Sequence, residues 1–277
     1  MFRARILVAL ALASVVPCAW ASPHAGRHAE PAIVSTGAIV ADATDSTVLW
    51  KRRADAVRPI ASITKLMTAL VVLEAGQPLD ERIAITTEDA RATSKSSSRL
   101  AVGTRLTRAQ LLQLALMSSE NRAAQALART YPGGLPAALA AMRRKAAALG
   151  MTRTRFEDPT GLSPGNVATP AELIRLVRAA SAEPLIREYS TARSMVVSVG
   201  RRPLEFRNSD RLAHDPSWNL AVSKTGYIQE AGRCLVLETV VADRPYVIVL
   251  LDSRRRVADA RVVRQWLERR LAAANVP

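Results

Sequence analysis

The apolar residues of this chain change their spacing twice along its length, and that order limits the possible folds more than any other feature. Ala38–Ala41 and Thr47–Trp50 are short β-rich runs around the polar segment Asp42–Ser46, which reads as a hairpin. Helical spacing then takes over. It runs from Ser62 to Glu74, ending at Gly76; from Thr107 to Ala128, interrupted near Ser118 and Ser119; from Leu135 to Leu149, stopped by Gly150; and from Ala171 to Ala180, after Thr169 and Pro170. The Ser/Thr-rich stretch 86–105 reads as a long surface loop. From about residue 194 the period shortens to two, with strands expected at 195–199, 220–222, 234–241 and 246–251, and Val257–Ala273 closes the chain as an amphipathic helix. Strands, helices, strands, helix is the signature of an α+β fold. We expect an antiparallel β-sheet drawing strands from both ends of the chain, flanked by helices, with an all-helical subdomain inserted between them. No internal repeat or linker interrupts the pattern, so residues 32–277 are expected to form one domain.

Composition narrows the class. Of 277 residues, 49% are hydrophobic, enough to bury a full core, so general disorder is excluded. Aromatic residues make up only 4%, too few for a sugar-stacking or single-strand nucleic-acid platform. Arg3 and Arg5 precede the apolar run Ile6–Trp20, and Ala19, Trp20 and Ala21 form a small-x-small cleavage pattern, so residues 1–21 read as a secretory signal peptide. Residues 22–31 would form a loose arm. Cys18 follows Pro17 rather than the small residue of a lipoprotein signal. No later apolar run approaches the roughly 18 residues of a membrane span, so the mature chain is expected to lack a transmembrane segment. Export to the periplasm also argues against nucleic acid as the partner of a chain with formal charge +15. After cleavage Cys234 is the sole cysteine, in a strand-like run, and reads as a small buried hydrophobe.

Common hydrolytic machinery is missing. His24 and His28 fall in the loose arm, leaving His214 alone in a loop; no His, Cys or carboxylate cluster suits a metal, and neither metal nor cofactor is expected. Residues 161–165 (GLSPG) match a nucleophile elbow, but the residue after Ser163 is Pro164, which has no N–H for an oxyanion. Glu157 lies nearby without an E-x-x-L-N pattern, so fast penicillin hydrolysis is not expected.

The lysines are more telling. Five lysines stand against 34 arginines. Lysine, unlike arginine, loses its proton when buried, so its positions merit inspection. Ser62 and Lys65 are spaced i, i+3 at a helix start, one turn apart on one face. A desolvated Lys65 could take the proton of Ser62. Ser119 and Asn121 form an S-x-N at the interruption between helices. Lys224, Thr225 and Gly226 lie in a strand-like run, where glycine permits close approach of another backbone and where a cation and a hydroxyl suit a carboxylate. Strict alternation would place Lys224 and Thr225 on opposite faces.

S-x-x-K, S-x-N and K-T-G in this order resemble the penicillin-binding proteins and serine β-lactamases. The segments 114–124 (LALMSSENRAA), 156–166 (FEDPTGLSPGN) and 224–235 (KTGYIQEAGRCL) resemble more closely the low-molecular-mass D-alanyl-D-alanine peptidases, of the D-alanyl-D-alanine endopeptidase (penicillin-binding protein 7) type. The resemblance covers roughly residues 33–265. It implies a serine D,D-peptidase acting on peptidoglycan peptide stems through an acyl-enzyme, inhibited by β-lactams. Ser62 would be the nucleophile, Lys65 its base and Ser119 the third catalytic residue. Asn121, Lys224, Thr225, Gly226 and Tyr227 would bind substrate, with the N–H groups of Ser62 and Tyr227 as oxyanion hole. Cleavage of cross-links is the leading expectation; trimming of terminal D-alanine is the alternative. Only two strands and a helix fit after the third motif, so a stand-alone catalytic domain is implied. The clusters Arg201–Arg202, Arg254–Arg256 and Arg269–Arg270 read either as solvated charge or as contacts to an anionic wall polymer.

Overall fold

All six residues of the first strand, β1 (Gly37–Asp42), are buried. A strand buried on both faces must lie inside a sheet covered on both sides. The computed structural model describes residues 30–199 and 202–274. The expected signal peptide, Cys18, His24, His28, most of the expected N-terminal arm and Arg201 lie outside them.

After β1 the chain turns into β2 (Val48–Arg52) and runs through the two-residue strand β3 (Arg58–Pro59) to a 3₁₀ turn at Ala61–Ile63. The helical block follows: α1 (Thr64–Glu74), β4 (Arg82–Ala84), α2 (Thr87–Ala92), β5 (Arg105–Thr107), α3 (Arg108–Met117), α4 (Asn121–Arg129), α5 (Gly134–Ala148), β6 (Val167–Ala168), α6 (Pro170–Ser181) and α7 (Pro184–Thr191). A hairpin of β7 (Ser194–Val199) and β8 (Arg202–Arg207) leads to the remaining sheet strands, β9 (Leu220–Ile228), β10 (Gly232–Val241) and β11 (Arg244–Ser253), and to α8 (Arg256–Ala274). The main sheet has the order β2-β1-β11-β10-β9 and is antiparallel throughout. Its strands come from both ends of the chain, as the sequence pattern required.

Alternation along the strands separates two cores. Cys234 and Val236 of β10, with Val247, Val249 and Leu251 of β11, join Ile39 and the helical block in the larger cluster. Their neighbours Leu235, Leu237, Ile248 and Leu250 face the opposite way, against Val263, Trp266 and Leu267 of α8. Cys234 is fully buried, and burial lifts its thiol to about 11, so it is inert.

Three readings of the sequence need correction. The stretch 86–105 is not all loop. Thr86 and Asp89 form a reciprocal capping box that starts α2, and buried Asp89 also pairs with Arg129 at 2.9 Å. Helix α7, opened by Pro184, and strand β8 are short elements of eight and six residues that the sequence pattern did not bring out. Finally, Ser62 lies in the 3₁₀ turn before α1 rather than in the α-helix itself.

Candidate active site

The turn that carries Ser62 is held by backbone on both sides. Strand β3 pairs with β6, and Ile60 N–H donates to the Asn166 carbonyl at 3.0 Å, bringing the 157–166 loop alongside. Ala61 then adopts φ +47, a left-handed conformation that costs a non-glycine residue on the order of 1 kcal/mol or more. Gly161, at φ +83, lies against this turn so closely that a Cβ would stand 2.0 Å from the Ala61 carbonyl oxygen. From the other side comes Gly226, where a Cβ would meet Ile60 O at 2.9 Å and Ser62 N at 3.1 Å. Glycine is required at both positions because two other backbones press against the Ser62 turn.

One helical turn later, Lys65 is fully buried. Its Nζ lies 2.8 Å from Ser62 Oγ, 2.7 Å from Asn121 Oδ1 and 2.6 Å from the Thr160 carbonyl. An ammonium would spend its three N–H groups on these acceptors; the neutral amine can donate to Asn121 and Thr160 and accept from the Ser62 hydroxyl. Burial pulls the Lys65 pKa down from 10.5 to about 7, against the opposing fields of Asp158 and Glu120. The group is therefore poised to exchange a proton with serine near neutral pH.

Ser119 and Asn121 reach the site because the helical run breaks between α3 and α4. Ser119 sits at φ +62, and the Glu120 carboxylate accepts from Arg122 N–H to cap α4. This strained junction aims Asn121 at Lys65 and Ser119 at the opposite wall. There Lys224 Nζ, also fully buried, donates to Ser119 Oγ at 2.9 Å and to the Thr225 carbonyl at 2.9 Å. Burial first, then the nearby cations Lys65 and Arg256, push Lys224 well below its usual pKa; Asp210 opposes them. Thr225 does diverge from Lys224: its hydroxyl lies 2.7 Å from Ser209 Oγ. Tyr227, at the mouth of the strand, is 62% exposed.

The structure thus gathers Ser62, Lys65, Ser119, Asn121, Lys224, Thr225 and Gly226 into one seam between the helical block and β9. Lys51 and Lys95 stay on the surface, and Lys145 pairs with Glu74. His214 is exposed and Ser163 bonds Glu157, so neither enters the seam. Sequence reasoning missed several contributors. Thr160 supplies an acceptor to Lys65 through its backbone, which no side-chain motif reveals. Asp158 fixes that carbonyl by accepting from the N–H groups of Thr160, Gly161 and Ser163 at 2.6–2.8 Å. Buried Asn166 links the loop to α1, donating to Thr64 Oγ1 at 3.0 Å. The segment dismissed as a false elbow is thus no nucleophile, but it forms the floor beneath Lys65. Its D-x-x-G turn chemistry was the available signal.

Known proteins resemble this chain in sequence and in fold. A sequence model of the D-alanyl-D-alanine carboxypeptidase family matches residues 24–255. The D-alanyl-D-alanine endopeptidase of Pseudomonas aeruginosa is 44% identical over 252 residues, spanning 89% of this chain and 81% of that protein. That of Escherichia coli is 41% identical over 271 residues, spanning 95% and 87%. The crystal structure of a Streptomyces DD-transpeptidase superposes with a TM-score of 0.79 at 26% identity, covering 86% of this chain and 98% of its own. A D-alanyl-D-alanine carboxypeptidase structure from Mycobacterium tuberculosis gives 0.78 at 28% identity, covering 87% and 94%. With a matching family model, a matching fold and sequence similarity over most of its length, the chain belongs to the D-alanyl-D-alanine carboxypeptidase family.

Proposed function

We propose that this protein is a periplasmic serine D,D-endopeptidase that hydrolyses D-alanyl cross-link bonds in peptidoglycan and is acylated by β-lactams. The observation that carries the reaction class is the contact of buried Lys65 with Ser62 Oγ at 2.8 Å. Neutral Lys65 takes the serine proton as Oγ attacks the D-alanyl carbonyl carbon, forming a C–O bond and a tetrahedral oxyanion. The N–H groups of Ser62 and Tyr227 receive that oxyanion, and the absence of a side chain at Gly226 lets β9 come close enough to Ser62. The C–N bond then breaks. Ser119, oriented by Lys224, relays the proton held by Lys65 to the leaving amine, so that Lys65 is neutral again. Water hydrolyses the resulting ester and frees Ser62. Asn121 holds Lys65 and faces the acyl half of the substrate, while Thr225 takes the carboxylate next to the leaving amine.

Identity to two proteins named D-alanyl-D-alanine endopeptidase supports the cross-link as the bond cut. The signal sequence supports export, and among the described residues no helix is long and apolar enough to cross a membrane. Residues 32–277 act as one catalytic domain in this reading. The test is mass spectrometry of muropeptides after incubation with the mature protein, in a mixture of cross-linked dimers and free pentapeptides. Dimers converted to monomers are the expected result. Intact dimers beside pentapeptides shortened by one D-alanine would make the enzyme a carboxypeptidase.

A further inference from the structure

Five arginines converge at one end of the substrate strand, more positive charge than the chemistry at Ser62 uses. A cleft of about 430 Å³ opens where the segment after β8, the β9–β10 hairpin and the start of α8 meet; Ser209, Arg211, Arg233, Arg254, Arg255 and Arg256 line it. It begins at the catalytic seam. Ser209 Oγ touches Thr225 Oγ1 at 2.7 Å, and Arg256 Nη1 donates to the Gly226 carbonyl at 3.2 Å.

Little inside the protein balances this charge beyond buried Asp210, whose field acts on Arg256. Of the five, only Arg255 reaches a carboxylate among the described residues: Asp259, at 3.5 Å. Buried Asp259 is already engaged by Ser35 and Ser253 hydroxyls at 2.7 and 2.9 Å. Some arginines elsewhere do find carboxylates, as Arg129 does with Asp89 and Arg244 with Asp42. Arg254–Arg256 also stand at the N-terminus of α8, where the helix dipole repels cations. Burial, together with the neighbouring Arg233 and Arg211, holds Arg256 below the usual arginine range against the opposing field of Asp210. Cations kept together against mutual repulsion and against a helix dipole form a receptor for anions.

The reaction indicates which anion. A carboxypeptidase releases free D-alanine, whose single carboxylate is matched by Thr225 and Arg256. An endopeptidase releases a whole second stem peptide bearing further carboxylates, on the same side of the scissile bond. We propose that Arg211, Arg233 and Arg254 form a subsite for the additional carboxylates of the leaving stem, so that the enzyme favours cross-linked dimers over free pentapeptide. This inference rests on the endopeptidase reading above.

The test uses the mature protein and a triple variant, Arg211→Gln with Arg233→Gln and Arg254→Gln, all exposed positions. Two substrates are compared: a cross-linked dimer, and the same dimer with every leaving-stem carboxylate amidated except the one beside the scissile bond. The triple variant is expected to raise KM for the unmodified dimer about tenfold, as loss of several exposed charge contacts does. Wild type should lose as much on the amidated dimer, and the variant no more. Acylation by benzylpenicillin, which lacks a second stem, should hold at the wild-type rate. Equal KM for variant and wild type on the unmodified dimer would overturn the subsite. In a second arm, Ser62→Ala protein with its arginines intact is titrated with both dimers by calorimetry. Weaker binding of the amidated dimer is expected, and equal binding would also overturn the proposal. Wild type that benzylpenicillin acylates but that leaves dimers whole would instead overturn the endopeptidase reading, and the subsite with it.

Discussion

The two faces of the central sheet bury side chains for opposite purposes. On the outer face, Leu235, Leu237, Ile248 and Leu250 pack on Trp266 and Leu267 of α8, with little polar content beyond the indole nitrogens of Trp50 and Trp266, which lack partners. On the inner face, where β9 meets the helical block, two lysines are buried together with Thr225 and with the half-buried Ser119 and Asn121. The outer face follows the ordinary rule of removing apolar surface from water. The inner seam works against that rule. It desolvates ammonium groups and holds Ala61 and Ser119 in left-handed conformations. Such costs persist where they serve chemistry rather than stability.

Substitutions at the two faces should therefore separate activity from stability. The largest effect is expected from Ser62→Ala: covalent labelling by benzylpenicillin vanishes while circular dichroism is unchanged. Labelled Ser62→Ala protein would remove Ser62 as nucleophile. Next comes Gly161→Ala. Its Cβ overlaps the Ala61 carbonyl, so Ser62 must shift; stopped-flow acylation should slow about 100-fold, the scale of a 1 Å misplacement. An unchanged rate would show that the loop floor does not position the nucleophile. On the outer face, Leu237→Ala should cost about 2–5 kcal/mol in denaturant unfolding yet leave acylation per folded molecule unaltered. Slower acylation there would mean that the two faces are coupled.

Lys65 sharpens the comparison through pH. The neutral amine is the competent base, so acylation should rise as pH increases through about 7 and level off above it. A profile flat across neutrality would assign the base elsewhere. A further effect is on stability. Because Lys65 is lowered from 10.5 to about 7 in the folded state, the unfolded chain binds the extra proton between these values. Wild-type stability should thus gain up to about 1.4 kcal/mol per pH unit over that window relative to Lys65→Met, and lose it as pH falls. A stability difference independent of pH would show that Lys65 is not desolvated.

Much of this was legible in the residues themselves. The hairpin of β1 and β2, the break at Ser118–Ser119 and the stops at Gly76 and Gly150 were all visible, because each rests on local periodicity or on glycine's access to positive φ. Helix α2 was not: the Ser/Thr-rich stretch around it reads as loop and masked its local Thr86–Asp89 capping box, and the Asp89–Arg129 pair that also holds it joins residues distant in sequence. The 157–166 loop was judged correctly as no elbow, yet its role beneath Lys65 depends on a backbone carbonyl, and carbonyls leave no mark in a sequence.

The sequence by itself singled out the side chains proposed to carry the chemistry. Serine and lysine one helical turn apart, S-x-N and K-T-G are short-range patterns, and the scarcity of lysine made two of them conspicuous. Only the tertiary structure decided that they meet and in which protonation state. Desolvation of Lys65 is a property of everything packed around it, from Thr160 to Asn121. The surplus of arginine beside Thr225 likewise arises from three chain segments remote in sequence. Electric fields and burial are sums over neighbours in space, and a linear order of residues holds only those neighbours that lie within a few positions.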